Sequence, residues 1–201
     1  MHGVKRSILE THEGKTHGLS DKQASALLEA PDPETLKGKR DRAILAVLLY
    51  HGMHCEEAAR LQRDDVQERR GIEHLRIHGQ GGKLRYLLLH PVAAERITVY
   101  LEALPESDDS GGALFRSLRG PATEESVTVD DLYALVTQYA KAARSKVAGL
   151  GVHGLRVTTA TNALENDAEI AKVPARLGYA NISTTKIYDR REAKTTFKVR
   201  Y

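Results

Sequence analysis

Leu177-Gly178-Tyr179-Ala180-Asn181-Ile182-Ser183-Thr184-Thr185-Lys186-Ile187-Tyr188 is the stretch that decides how this chain is read, together with His153-Gly154-Leu155-Arg156 upstream of it. A lone tyrosine in a helix usually packs its ring and exposes its hydroxyl. A lone His-x-x-Arg pair is usually a surface pair. Here the two strings occur in one chain, with Arg156 standing 32 residues before Tyr188 (188 − 156). Beyond Tyr188 the last residues carry Arg190, Arg191, Lys194, Lys198 and Arg200 against Glu192. That basic tail contrasts with the acidic Glu106-Ser107-Asp108-Asp109, which suggests one face for an anionic partner, although for the tail by itself a solvated segment is the simpler reading.

The remaining composition sets bounds. The 201 residues fit one domain of ordinary size, with a 28% charged and 41% apolar make-up that suits a water-soluble globule. The formal charge of +3 permits nucleic-acid binding without demanding it. No apolar run approaches the roughly 18–20 residues that cross a bilayer, so no membrane association is expected. The polar start and the single cysteine, Cys55, suit a reducing compartment, and the expected location is the cytoplasm.

Residues 1–18 lack periodicity and read as a linker or N-terminal stub; residues 19–201 read as one domain including its C-terminal tail. Ser20-Asp21-Lys22-Gln23 is a capping-box pattern that opens a short helix to about Ala30. A second helix is expected over about 38–50, with Ile44, Leu45, Leu48 and Leu49 at core spacing. Gly52 interrupts it, and a short helix resumes around Glu56–Leu61. Ile72 to Leu89 reads as two strands around Gly79-Gln80-Gly81-Gly82. Pro91 opens a helix to about Leu104, and Thr128 caps a long one. Leu114-Phe115 reads as a third short strand or as buried turn residues. A Gly-rich break at 149–154 precedes a helix to about Asn166, and two further short helices are expected, the last holding Tyr188. The fold class is mainly α with a small antiparallel β-sheet.

With these strings in hand, residues from about 20 to 201 resemble the catalytic domain of the tyrosine recombinase, or phage integrase, family. Leu177 to Tyr188 resembles the family's terminal motif, and His153-x-x-Arg156 its second block. Gly52-Met53-His54-Cys55-Glu56-Glu57 resembles the first block, and Gly79-Gln80-Gly81-Gly82-Lys83-Leu84-Arg85 the family's hairpin turn. The resemblance implies the DNA breaking-rejoining fold and a metal-free, cofactor-free strand exchange on double-stranded DNA. Tyr188 would attack the scissile phosphate and form a 3′-phosphotyrosine. A phenolate, with a pKa of about 10, keeps the bond energy and leaves again when a DNA hydroxyl attacks. Arg156 would bind the phosphate through its fork, and His153 would serve phosphate contact and proton traffic. Lys83, Arg85 and Lys186 would contact DNA. A homo-tetramer would assemble on DNA, with a monomer for the free fragment. The family also uses an N-terminal clamping domain that these residues do not include, so a fragment or truncated product with weak, salt-sensitive DNA binding is expected.

Three positions depart from the family pattern. His54 stands where the first arginine is expected, and a histidine cannot make the bidentate fork. Gln80 stands at the general-acid lysine, and a carboxamide cannot deliver a proton as an acid. Tyr179 stands where His or Trp is usual, which is the mildest change because a phenol still hydrogen-bonds phosphate. Removing one charge donor typically slows such chemistry about a hundredfold to a thousandfold. Two readings follow: a site-specific recombinase impaired at three positions, or a DNA-binding pseudo-recombinase that no longer cleaves. A metal site is a third reading. His51, His54 and Cys55 are close in sequence, and His74, His78 and His90 lie around the hairpin. Their spacings match no zinc pattern, so solvated histidines are the simpler explanation and no metal is expected.

Overall fold

A computed structural model describes residues 18–79, 82, 84–105, 112–118, 125–143 and 150–166. Helix α2 (Leu36–His51) lies at the centre. Its residues Ala43 to Leu49 are all buried, on every side of the helix. A helix that is apolar all round must be covered all round. The cover comes from α1 (Asp21–Glu29), α4 (Pro91–Glu102), α6 (Val152–Glu165) and α3 (Cys55–Ala59), while α5 (Val129–Ala142) packs on α3, α1 and α6.

The caps follow the local sequence. Gln23 accepts the Ser20 N–H at 2.9 Å, and the Thr35 hydroxyl accepts the Gly38 N–H at 3.0 Å. Thr128 accepts the Asp131 N–H at 3.1 Å. Pro91 occupies the first turn of α4, where its missing N–H costs nothing. Beneath α2, the fully buried Asp41 carboxylate accepts from Arg40 at 2.7 and 2.9 Å, Lys37 at 2.5 Å and the Tyr139 hydroxyl at 2.9 Å. Arg40 also donates to the Arg116 carbonyl at 2.7 Å. This network ties α2 to α5 and to the segment around Arg116.

The antiparallel sheet has three strands in the order β1 (Val66–Arg69), β2 (Ile72–His78) and β3 (Leu84–Leu88). The sequence reading found β2 and β3 and missed β1. Arg69 pairs with Ile72, so Arg70 and Gly71 form a two-residue turn, both with positive φ (56° and 76°), the geometry that joins twisted strands tightly. Leu114 and Phe115 are buried between the isolated bridges of Ala113 and Arg116, which makes them turn residues rather than a strand. Helix α6 starts at Val152, inside the stretch read as a Gly-rich break. Leu75, Ile77 and Leu87 face the core, and Leu84, Tyr86 and Leu88 face outward.

Candidate phosphate-binding site

The site starts where α2 ends. Gly52 adopts the left-handed conformation (φ 57°, ψ 37°), which a glycine reaches without a Cβ clash, and its N–H returns to the Leu48 carbonyl at 3.0 Å. That turn buries Met53 and puts His54 at the N-cap of α3. It also leaves the Gly52 carbonyl pointing at α6, where the Arg156 guanidinium donates to it.

Arg156 is buried, 2% exposed, on the second turn of α6. His153 is half-buried three residues earlier, a spacing that places both on one side of the helix start. Two threonines fix α6 in place. Thr159 donates to the Leu49 carbonyl of α2 at 2.7 Å, and Thr158 accepts the Leu19 N–H at 2.8 Å. Gly18 lies against Thr158 so closely that a Cβ there would sit 3.2 Å from its backbone.

Arg85 comes from β3. Side chains alternate along a strand, so Arg85 shares the inward side with Leu87. A cation on that side needs a partner, and Glu57 of α3 supplies it. Its two carboxylate oxygens meet Nη1 and Nη2 of Arg85 at 2.6 and 2.8 Å. Glu57 also accepts the His54 N–H at 3.0 Å. Burial alone would raise the Glu57 pKa, but the Arg85 fork and the His54 N–H outweigh it and hold it below the ordinary carboxylate value.

His54 keeps an exposed edge, yet the protein around its ring still disfavours the imidazolium. Burial is the largest cause, followed by the Arg156 guanidinium; Arg85 acts in the same direction, and Glu57 and Glu56 oppose it. His54 therefore titrates below the ordinary histidine value and is neutral at neutral pH. Next to it, the Cys55 thiol is pushed up to about 11 by burial.

The structure thus brings His54 and Arg85 onto Glu57, with Arg156 near enough to act on the His54 ring. Tyr188, Tyr179, Gln80, Lys83 and Lys186 lie outside the described residues. Sequence reasoning named Arg85 and passed over its carboxylate partner. Its signal was an acidic residue three positions after a helix N-cap, a pattern that by itself identifies only a cap. Among the described residues no group of three His, Cys, Asp or Glu side chains is placed to hold a metal ion. None of the described helices is long and apolar enough to cross a membrane.

Comparison with known proteins bears on the family and the fold. The profile of the phage integrase family matches residues 18–195. The chain is 32% identical over 173 residues to tyrosine recombinase XerD of Vibrio cholerae serotype O1, covering 85% of this chain and 55% of that protein. Among solved structures, the XerA recombinase superposes with a TM-score of 0.72 at 26% identity, over 92% of this chain and 66% of that one. XerH bound to its palindromic difH substrate after cleavage gives a TM-score of 0.71 at 23% identity, over 91% and 54%, and supports the fold alone. The chain spans about half the length of the curated relatives it matches. With the helical architecture, the three-stranded sheet and the family profile in agreement, the chain belongs to the phage integrase family of tyrosine recombinases.

Proposed function

We propose that this chain is the catalytic half of a site-specific recombinase that binds double-stranded DNA, breaks one strand and rejoins it through a 3′-phosphotyrosine at Tyr188. The observation that carries the reading is the fixed position of Arg156. A buried guanidinium held by a main-chain carbonyl, on the same helix start as a half-buried histidine and with a second guanidinium acting on the same His54 ring, makes a preorganised anion site. Such groups stabilise the negative charge that develops on a phosphate under attack. In this mechanism Arg156 and His153 hold the scissile phosphate, Tyr188 attacks it, and Tyr179 assists by hydrogen bonding. Lys83 and Lys186 contact the DNA backbone. The linker ends near residue 18 and the catalytic domain occupies 19–201. The family resemblance supports a homo-tetramer on DNA and a cytoplasmic location.

A second reading has its own observation. Position 54 holds a histidine that its surroundings keep neutral, and position 80 holds a glutamine. A chain with both features binds DNA as a silent recombinase subunit and cleaves it extremely slowly. Covalent trapping on nicked duplexes carrying the chain's own recombination site separates the readings. A Tyr188–DNA adduct that disappears in Tyr188→Phe supports the active enzyme. An adduct that appears only after His54→Arg, Gln80→Lys and Tyr179→His are introduced together supports the silent subunit. No adduct in either protein overturns the strand-exchange reading.

A further inference from the structure

We propose that Arg85 is the second phosphate-binding guanidinium of this site, held in place by Glu57 and doing the work that His54 cannot. The ligand's identity as a DNA phosphate rests on the recombinase reading; the anion site itself does not. Three observations carry the inference.

The first is position. Arg85 on β3 and Arg156 on α6 both lie near enough to the His54 ring to act on it electrostatically, and Arg85 is tied through Glu57 to the His54 N–H. A phosphate at Arg156 therefore comes within the field of Arg85. The second is rigidity. Arg85 is clamped by two bonds to Glu57, and Glu57 is itself tied to the His54 N–H. A flexible side chain becomes a preorganised donor, and less freedom is lost on binding. The third is a leftover donor. Glu57 occupies the edge of the guanidinium formed by Nη1 and Nη2, which leaves the edge containing Nε. Among the described residues the buried Arg85 Nε–H meets no acceptor. A buried donor without a partner is uncommon and costly. An anion with two adjacent oxygens satisfies that edge in the same bidentate way that a carboxylate satisfies the other. A phosphodiester has two such non-bridging oxygens.

The charges are consistent. Glu57 cancels one of the two arginines and His54 is neutral, so the empty cluster carries about one positive charge in a confined space. One phosphate matches it.

The test is built so that net charge does not change. Glu57→Gln combined with Arg85→Gln removes one charge of each sign, and the amide pair can still hydrogen-bond. Folding is checked by the helical circular dichroism signal. Binding of a fluorescein-labelled duplex is measured by anisotropy across a salt series. If Arg85 only contributes to overall charge, the double variant matches wild type. If Arg85 holds a phosphate, affinity falls about tenfold and the salt slope shrinks by about 0.9, the share of one contact. Arg85→Lys, which keeps the charge without the fork, recovers the slope and not the affinity. A second arm uses inorganic phosphate at constant ionic strength and reads the rise in Tm. Wild type gains more than the double variant if the site exists. Equal affinity and slope in the first arm, or equal gains in the second, overturn the inference. A wild-type chain that binds no duplex overturns the nucleic-acid reading, and the phosphate arm then decides Arg85 on its own.

Discussion

Replacing Asp41 by asparagine keeps the shape of a deeply buried polar network and removes the one carboxylate at its centre. Asp41 has no exposed surface and serves Arg40, Lys37 and Tyr139 at once. Arg40 is 8% exposed, so water cannot replace the lost carboxylate there. Removing one partner of a buried pair typically costs about 3–5 kcal/mol. Asparagine retains an oxygen that can accept from Tyr139 or Lys37, so the lower end, about 3 kcal/mol, is expected for Asp41→Asn. The two other partners scale with their burial. Tyr139→Phe removes the hydroxyl's bond to Asp41 and a longer one from Lys37 at 3.3 Å, and costs about 1 kcal/mol. Lys37, whose side chain is 52% exposed, contributes a screened pair, and Lys37→Met costs less than about 0.5 kcal/mol. Urea unfolding followed by circular dichroism measures all three. With a slope of about 2 kcal/mol/M, the midpoint falls by about 1.5 M for Asp41→Asn and about 0.5 M for Tyr139→Phe. A loss below about 1 kcal/mol for Asp41→Asn, or a larger loss for Lys37→Met than for Tyr139→Phe, would refute the assignment of the network's strength to the Arg40–Asp41 pair.

Three other outcomes are expected. Gly38→Ala should unfold the start of α2, because the new Cβ would lie 1.7 Å from the Asp32 carbonyl oxygen; a loss of at least about 2 kcal/mol in the same urea assay is the measure, and a neutral result removes the steric argument. His54 is depressed by burial first and by Arg156 next, so its stabilising contribution is present above about pH 6.5 and is lost as the pH falls through its folded-state value. A phosphate bound at Arg156 offsets that cation and favours protonated His54. Duplex affinity should therefore rise as the pH is lowered from about 8 to about 6, and His54→Gln should flatten the change. Cys55 is buried, with its thiol pushed up to about 11, so iodoacetamide at about pH 8 should label it only after denaturation; rapid native labelling, read by mass spectrometry, contradicts its placement.

Much of the helical frame could be read from the chain because its signals are local. The Leu/Ile run of α2, Pro91 at the start of α4 and Thr128 before α5 each act within one or two turns. The strand β1 left no such signal. Val66-Gln67-Glu68-Arg69 is a short edge strand with one apolar residue, so alternation is absent, and Arg70 gives no sign that its backbone turns left-handed. Gly154 looked like part of a break because glycine disfavours helices, but Gly151 is the N-cap and Gly154 lies inside α6. At the site, His153 and Arg156 were legible as a motif. The Glu57–Arg85 fork was not, because its partners are 28 residues apart and meet only when α3 packs beside the sheet. Local periodicity carries no information about such a pair.

One anchor of Arg156 is a main-chain oxygen, the carbonyl of Gly52. No side-chain substitution can delete a main-chain carbonyl. So long as position 52 allows the left-handed turn, that hydrogen bond stays available whichever side chains surround it. That gives the site an uneven tolerance of mutation. Position 54 can exchange its residue type and lose charge without unseating Arg156, whereas an alanine at Gly52, which must distort the turn, would disturb the core helix and the arginine together. A site with this construction can drift in catalytic competence over many substitutions while its anion-binding shape persists.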